Sequence, residues 1–571
     1  MMDKEKRMKF STVWSRWESN AINSPDKDAI VFWRAGEEPF RWNFKELIET
    51  ANKFSVQLKL NGIKENQVCA IIMRHNKWFY PLYMGVVGIG AIPAVLAYPN
   101  PRLHPDKFRE GIRGMSHNSG LDWIFSEREL EPILSPLLDT GSISGMKFPL
   151  EWNIEEEHED LFEEIIENRK NRKPEDAFLL QHSSGTTGLQ KPVLLSNKAV
   201  LEHVDNYAES ISFSDTDKVA SWLPLYHDMG LIAAYHVPLA FGMTSIQIDP
   251  FEWVLAPSLL LEAISAEKAT LAWLPNFAYN LMADKINDLD LEGVRLDSWR
   301  LVINCSEPVR NDSHLRFLNH FGNYGFKESA LSACYAMAET TYAITQTEPG
   351  RMPKVILADR QKLADGFVEL IEDAAKARSC VSSGKLIKGC ELRIVDENRA
   401  DVPKGRVGEI AVSSVSMFDG YRNYPEKTAE SLAGGWYYTG DYGFIYQDEC
   451  YVIGRKKDII IVAGKNIYPE DIEDTVSKVE GIIPGRVVAF GADDKELGTE
   501  VVAVLIESTL EDTGAKKKLK RKILQAGIDN DQNIARVYIV PSRWLIKSSA
   551  GKPSRKANKE RILVNNDYLV E

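Results

Sequence analysis

Short apolar runs closed by polar turns alternate along most of the chain with longer stretches in which apolar residues recur every three or four positions. From Asp28 to Leu96 the runs DAIVFW, VCAIIM and AIPAVL read as strands, and FKELIETANKFSVQLKLNG between the first two reads as an amphipathic helix. Strands alternating with helices at this spacing predict a parallel sheet covered on both faces. A second series holds VASWLPL, TSIQI, TLAWLP and WRLVINCSEP, with the helical PSLLLEAISAEK among them. Several of these strands end in polar turns containing glycine or proline, and ligands gather at such ends in open parallel sheets. From about 384 to 455 the pattern shortens to LRIVD, GEIAVSS, GWYYTGDYGFI and CYVIG, which predicts a small β-rich subdomain. Beyond about 458, DIIIVAG, PEDIEDTVSKV, RVVAFGA, EVVAVLIES and a basic helix around 515 to 525 form a set long enough to fold separately.

Composition narrows the class. A chain of 571 residues is too long for one hydrophobic core and corresponds to about three or four domain-sized units. A net charge of −13 argues against general nucleic-acid binding. The basic run AKKKLKRK at 515 to 522 reads as a solvated helix face, with a nucleic-acid patch or a contact for an acidic partner as the alternatives. Residues 151 to 175 are highly acidic, end in NRKNRKPED, and read as a solvated connection without chemistry of its own. Cys69, Cys305, Cys334, Cys380, Cys390 and Cys450 lack CxxC or ligand-like spacing, which predicts reduced thiols with neither disulfides nor a zinc site. Residues 78 to 98 carry no charge, but Pro81, Gly85, Gly88, Gly90 and Pro93 interrupt them, so they predict a helix, turn and buried strand and not a transmembrane segment. MMDKEKRMKF is not followed by an apolar core of signal type, and the expected location is cytoplasmic.

The stretch of greatest chemical interest is FLLQHSSGTTGLQKPVLL, Phe178 to Leu195. FLL and VLL read as buried strands, and the hairpin between them carries Ser183, Ser184, Gly185, Thr186, Thr187, Gly188 and Lys191. Glycines let backbone N–H groups approach phosphate oxygens, hydroxyls donate further hydrogen bonds, and the lysine adds positive charge. By itself the same stretch also fits a surface turn. It does not fit the loop GxxxxGK[ST], because Gln190 follows Gly185 by five positions and Pro192 follows Lys191.

SSGTTGLQKP resembles the phosphate-binding signature of the adenylate-forming superfamily, which holds acyl-CoA synthetases, fatty acyl-AMP ligases, luciferases and nonribosomal adenylation domains. The end of the signature departs from the usual Pro-Lys-Gly: here it reads Gln190, Lys191, Pro192, and Pro192 lacks a backbone donor. Further segments resemble the family's motifs in the family's order. LPLYHDMGLI places His227 beside the acid's carboxylate, although a lone histidine is more often structural. NCSEP, with Cys305, Ser306, Glu307 and Pro308, matches the turn along the adenine, Cys305 standing where glycine is common. CYAMAETT resembles Tyr-Gly-x-Thr-Glu: Tyr335, Ala336, Met337, Ala338, Glu339 and Thr340 would face the nucleotide, with Tyr335 stacked on adenine and Glu339 on Mg2+. Ala336 and Ala338 replace Gly and Thr, and alanine at the second place is common among fatty acyl-AMP ligases. GWYYTGDYG supplies Asp441 for the ribose hydroxyls. GRKKDIIIVAGKNIYPEDIE supplies Arg455, also for ribose, and Lys457 at the hinge. SSAGKPSRK places Lys552 as the catalytic lysine.

The resemblance covers about residues 10 to 560. It implies an α/β fold whose large N-terminal domain, residues 1–456, holds two α/β sandwich subdomains and a small β-rich one. Residues 457–571 are then a mobile α+β C-terminal domain. The implied activity uses ATP and Mg2+ to convert a carboxylic acid, in this branch a fatty acid, to acyl-AMP with release of pyrophosphate. The acyl group then passes to a thiol. A long segment between Thr341 and Ser383 resembles an insertion of fatty acyl-AMP ligases, at about 345–380 here, that restrains the small domain and disfavours CoA. The implied acceptor is the phosphopantetheine of an acyl carrier protein, with CoA as the alternative. A surface elaboration without effect on the acceptor is the plain reading of such a loop. A catalytically silent homologue is a further alternative, against which Lys191, Glu339, Asp441, Arg455 and Lys552 speak. Trp222, Phe277, Ala278 and Met282 are candidates for lining an apolar acyl pocket, although such residues are more often core.

Overall fold

The computed structural model describes residues 10–99, 105–140, 142–183, 190–462, 465–483, 485–494, 499–530, 532–547, 553–564 and 568–570. Its largest sheet has nine strands. From one edge to the other they are Lys385–Leu386, Ala343–Gln346, Leu331–Ala336, Leu301–Cys305, Leu271–Pro275, Lys218–Ser221, Thr244–Ile248, Asp28–Trp33 and Phe40–Asn43. The six strands from Leu331–Ala336 to Asp28–Trp33 are parallel, and antiparallel strands close both edges. The central strands Leu271–Pro275 and Leu301–Cys305 are buried at every position, as expected where helices cover both faces.

One strand joins a different sheet from the one its neighbours in sequence imply. Asp28–Trp33 leaves VCAIIM and AIPAVL and pairs in parallel with Thr244–Ile248, Ile30 beside Ser245 and Trp33 beside Ile248. Ala29, Ile30 and Val31 are fully buried there, so the strand requires cover on both faces and finds it in the larger sheet. VCAIIM and AIPAVL belong to a second, four-stranded parallel sheet ordered Ile92–Val95, Val68–Ile72, Trp123–Ser126, Gly145–Lys147. The uncharged stretch at 78 to 98 forms the helix Phe79–Gly88 and the strand Ile92–Val95, as expected. Among the described residues no helix is long and apolar enough to cross a membrane.

The acidic stretch at 151 to 175 is more than a connection. It contains the helix Glu159–Lys170. The Arg169 guanidinium at its end donates to Gly88 O at 2.7 Å and Asn52 Oδ1 at 2.9 Å and lies 3.8 Å from the Trp14 ring centroid. Composition alone hid this docking, because the packing residues are scattered among the charges.

Ala177–His182 and Pro192–Ser196 form the expected antiparallel hairpin. Leu179, Val193 and Leu195 pack in the core of the nine-stranded sheet, whereas Leu180 packs with Val68, Ile72 and Ile92 of the smaller one. The hairpin strands therefore partition two cores.

The β-rich unit is a five-stranded antiparallel sheet containing Cys390–Val395, Gly408–Ser414, Leu432–Ala433, Trp436–Tyr446 and Glu449–Arg455. The long segment after Thr341 folds as paired strands Val355–Asp359 and Ala377–Val381 with the helix Arg360–Ala364 between them. Ala358, Leu363 and Cys380 from it share a small core with Phe444, Tyr451, Ile453 and Tyr468. The smaller C-terminal domain is built on the strands Val487–Asp494, Thr499–Glu507 and Ile534–Val540. Helices Pro469–Ser477 and Thr513–Asp529 pack on one face, and Arg555–Val564 on the other. On Thr513–Asp529, Leu519 and Ile523 face the core while the basic residues face outward, Lys522 pairing with Glu480 at 2.8 Å. All six cysteines are free thiols, and all but Cys390 are buried.

Gly384 supports the return from the inserted strands to the large sheet. It has φ +92°, and a Cβ there would lie 2.0 Å from the Gln346 carbonyl carbon. Gly384→Ala is expected to destabilise the protein by about 3 kcal/mol or more, because main chain cannot yield as a flexible side chain can. An unfolding midpoint equal to wild type would overturn this.

Candidate active site

The site lies where the hairpin, the ends of the parallel strands and the β-rich sheet meet. On the hairpin, Lys191 N–H donates to Ser183 Oγ at 3.1 Å and Ser183 N–H donates to Lys191 O at 3.0 Å, which closes the base of the turn. Ser184, Gly185, Thr186, Thr187 and Gly188 lie outside the described residues. Pro192 begins the returning strand, and its carbonyl accepts from the N–H of Arg422, so its missing donor leaves the pairing intact.

Leu331–Ala336 leads into a short 3₁₀ turn, Ala338–Thr340, which carries Glu339. Thr341 follows in the left-handed region at φ +70°, a strain that non-glycine residues tolerate mainly where surroundings hold them. Thr340 is fully buried, and its hydroxyl donates to Tyr342 O at 3.0 Å, so it shapes this turn from within. Met337 N–H donates to Tyr342 O at 2.9 Å. Ala338 is buried, whereas Ala336 and Met337 are partly open.

The buried Glu339 carboxylate accepts two phenolic hydrogen bonds at Oε1, from Tyr421 at 2.6 Å and Tyr437 at 2.8 Å. Lys191 Nζ donates to the Tyr421 oxygen at 3.2 Å. Burial, followed by the Glu339 charge, raises the pKa of both phenols, so both remain donors. Burial lowers that of Lys191, and the carboxylate offsets part of the shift. Among the described residues no group of three or more His, Cys, Asp or Glu could hold a metal ion. A single carboxylate is nonetheless a suitable protein ligand for Mg2+, which commonly retains waters and takes its other ligands from substrate phosphates.

Nearby, Asp441 on Trp436–Tyr446 stands opposite Arg455 on Glu449–Arg455. Arg455 Nε approaches Asp441 Oδ1 at 3.0 Å, and Tyr335 OH donates to Oδ2 at 2.7 Å. The three residues expected around adenine and ribose thus meet at one carboxylate, that of Asp441. The Asp441 charge is the largest influence on Arg455 and raises its pKa. Each carboxylate oxygen keeps acceptor capacity beyond its protein partner, which suits it to hydroxyl ligands.

The strand Leu301–Cys305 ends in the NCSEP turn, where Ser306 has φ +69°. Glu307 Oε2 accepts from Phe277 N–H at 2.8 Å, and Pro308 is exposed. Cys305 is buried beside Cys334 and Tyr342, with Tyr342 OH 3.5 Å from Cys334 Sγ. His227 Nδ1 lies 2.7 Å from Asp228 Oδ1 at the start of a π-helical segment, Met229–His236. Wide turns of this kind are frequent at functional sites. Of the pocket candidates, Ala278 and Met282 are core residues. Trp222 stacks on Trp253 with centroids 3.6 Å apart, and Phe277 is 38% exposed at the edge of that pair.

Lys457 falls between two ionic clamps. Lys456 pairs with Glu409 at 3.0 Å on the large-domain side, and Asp458 pairs with Arg555 at 2.6 Å in the small domain. Arg555 also reaches Glu470 and Glu473. Lys547 and Pro553 form a β-bridge, and Lys552 lies outside the described residues. Across the domains, Arg310 pairs with Asp474 at 2.5 Å.

A family profile described as "AMP-binding enzyme" matches residues 17–422. The chain belongs to the AMP-binding enzyme family. Relatives extend the likeness of this AMP-binding enzyme beyond the profile. A 4-hydroxyphenylalkanoate adenylyltransferase of Mycobacterium tuberculosis is 28% identical over 521 residues, covering 86% of this chain and 82% of the relative. A Mycobacterium bovis protein named as a fatty-acid–CoA ligase is 30% identical over 588 residues, covering 97% and 98%. The crystal structure of a fatty acyl-adenylate ligase from L. pneumophila, in complex with acyl adenylate and pyrophosphate, superposes with a TM-score of 0.74. It is 26% identical and covers 100% of this chain and 99% of that one.

Tyr421 and Tyr437 were absent from the sequence expectations. In GYRNYPEKT and GWYYTGDYG they read as ordinary aromatics of a β-rich unit, and only folding brings both hydroxyls to one carboxylate oxygen. Asp441→Ala removes a charged acceptor and strands Arg455. It is expected to weaken ATP binding about 10- to 100-fold, measured by calorimetry, with Tyr335→Phe losing less. Undiminished affinity in Asp441→Ala would remove it from the nucleotide site.

Proposed function

We propose that this AMP-binding enzyme activates a fatty acid as its acyl-adenylate and delivers the acyl group to the phosphopantetheine thiol of an acyl carrier protein. The carrying observation is the meeting of distant segments in one site: Lys191 reaches Glu339 through Tyr421, and Asp441 joins Tyr335 to Arg455. Whole-chain likeness to a fatty acyl-adenylate ligase supports the choice of reaction.

In the first half-reaction a carboxylate oxygen of the acid attacks the α-phosphorus of ATP. The bond to the bridging oxygen of the β-phosphate breaks, and pyrophosphate departs. Both reactants are anions, so the main task of the site is to cancel repulsion. Lys191 and the hairpin hydroxyls are assigned to phosphate oxygens, Lys552 to the reacting centre, and Asp441 with Arg455 and Tyr335 to the nucleoside. Glu339 would hold Mg2+, which supplies positive charge against the phosphates when bound. His227, oriented by Asp228, stands on the acid side. In the second half-reaction a thiol sulfur attacks the acyl carbon, the bond to the AMP oxygen breaks, AMP leaves, and the thiol proton is released.

The inserted segment supports a carrier protein over CoA, because it binds both domains. Arg378 donates to Ile453 O at 2.7 Å and pairs with Asp471 at 2.9 Å, while its guanidinium lies 5.0 Å from the Tyr468 ring. Arg360 donates to Asn530 O. These contacts oppose rotation of the small domain about Lys457, the motion that the second half-reaction requires with either thiol, and a carrier protein can offset that cost with a docking surface that CoA lacks. Transfer to CoA is the second reading, favoured by the relative named as a CoA ligase.

Pyrophosphate exchange across a panel of carboxylic acids tests activation. Acid-dependent exchange is expected, strongest with fatty acids, and its absence with every acid would favour a silent homologue. Lys552→Ala is expected to lower exchange by about 100-fold or more while ATP still binds. Unchanged exchange would remove Lys552 from the mechanism. With acid, ATP and either CoA or phosphopantetheinylated carrier protein, the thioester is expected on the carrier, and Arg360→Ala/Arg378→Ala should raise the CoA product. Equal or greater CoA thioester in the wild type would overturn the acceptor assignment.

A further inference from the structure

Lys191 and Glu339 carry opposite charges in a largely buried site, where attraction exceeds that in water, yet they do not form a direct ion pair. The Tyr421 hydroxyl stands between them, accepting from Lys191 Nζ at 3.2 Å and donating to Glu339 Oε1 at 2.6 Å. The ammonium also lies 4.7 Å from the centroid of the Tyr421 ring, so one side chain holds it by face and oxygen together. Main-chain pairing fixes the place of this tyrosine. Val193, two residues beyond Lys191, forms a β-bridge with Tyr421, and Tyr421 N–H donates to Thr428 Oγ1 at 2.9 Å. Its ring packs against Phe418 at 4.9 Å between centroids.

We propose that Tyr421 is a positioning residue that holds Lys191 and Glu339 apart, so that the free enzyme offers a cation to phosphate oxygens and a carboxylate to Mg2+ in place of an internal ion pair. The assignment rests on the roles given above to Lys191 and Glu339. A phenol suits the task because its single oxygen accepts from the ammonium while its proton satisfies the carboxylate, and the group itself is neutral. Phenylalanine keeps the ring and loses both of these bonds, together with a 3.1 Å contact to the Tyr437 hydroxyl, after which the two charges can close on each other. Tyr437 donates to the same Glu339 oxygen at 2.8 Å, and its hydroxyl lies 3.1 Å from that of Tyr421, but it makes no hydrogen bond to Lys191. Its loss therefore removes a donor without removing the spacer.

The test measures ATP binding to the full chain by calorimetry as Mg2+ is varied, with no acid present, so that turnover plays no part. In Tyr421→Phe the Mg2+ concentration for half-maximal ATP binding is expected to rise about 10-fold, the scale of a lost hydrogen bond to a charged group. Tyr437→Phe is expected to shift it by less. Tyr421→Phe/Lys191→Met is expected to bring it back toward the wild-type value, although ATP binds more weakly overall. Any packing defect of the tyrosine substitution is shared by the double variant, so rescue reports the removed lysine. If Tyr421→Phe does not fold, Tyr421→Leu and its double variant take its place. Wild-type Mg2+ dependence in the single variant, equal shifts in both tyrosine variants, or no rescue would overturn the proposal. Wild-type ATP binding that ignores Mg2+ would instead overturn the role of Glu339 on which it rests.

Discussion

The hairpin strands Ala177–His182 and Pro192–Ser196 are buried from both sides, and much of the site follows from that constraint. Leu179, Val193 and Leu195 belong to one core and Leu180 to the other. Burying four such side chains contributes on the order of 6–12 kcal/mol relative to exposure, before ordering costs. A polar turn between strands so held has a firm base on two subdomains at once. Its exit carries Lys191, whose position is set further by the pairing of Val193 with Tyr421 of the β-rich region.

The rest of the site repeats this use of junctions. Tyr335 comes from the large parallel sheet, Asp441 and Arg455 from the β-rich sheet, and the Tyr335–Asp441 hydrogen bond joins the two. Arg310 and Arg378 bring the small domain to the same region through Asp474 and Asp471. Partly buried ion pairs of this sort fix orientation more dependably than they add stability, because desolvation offsets much of their attraction.

Much of the fold could be read from local pattern. The strands of both α/β series, the β-rich stretch and the terminal unit all occur where periodicity puts them, because two-sided burial requires continuous apolar runs. The partner of each strand is another matter: DAIVFW carries no mark that sends it beside TSIQI and away from VCAIIM. The helix Glu159–Lys170 was hidden for a related reason, its docking resting on Arg169 over Trp14 and on a short apolar set, Leu161, Phe162 and Ile165, among acidic residues.

For the site the division is similar. Lys191, Glu339, Asp441 and Arg455 could be singled out because each sits in a short segment that resembles, in order along the chain, a motif of the adenylate-forming family. Tyr421 and Tyr437 were not, since a tyrosine hydroxyl acquires meaning only from what stands within 3 Å of it. The sequence by itself determined which charges and apolar runs were available, because composition and periodicity are local properties. Only the tertiary structure decided which of those charges touch, which are held apart, and by what, because that depends on the packing of strands far separated along the chain.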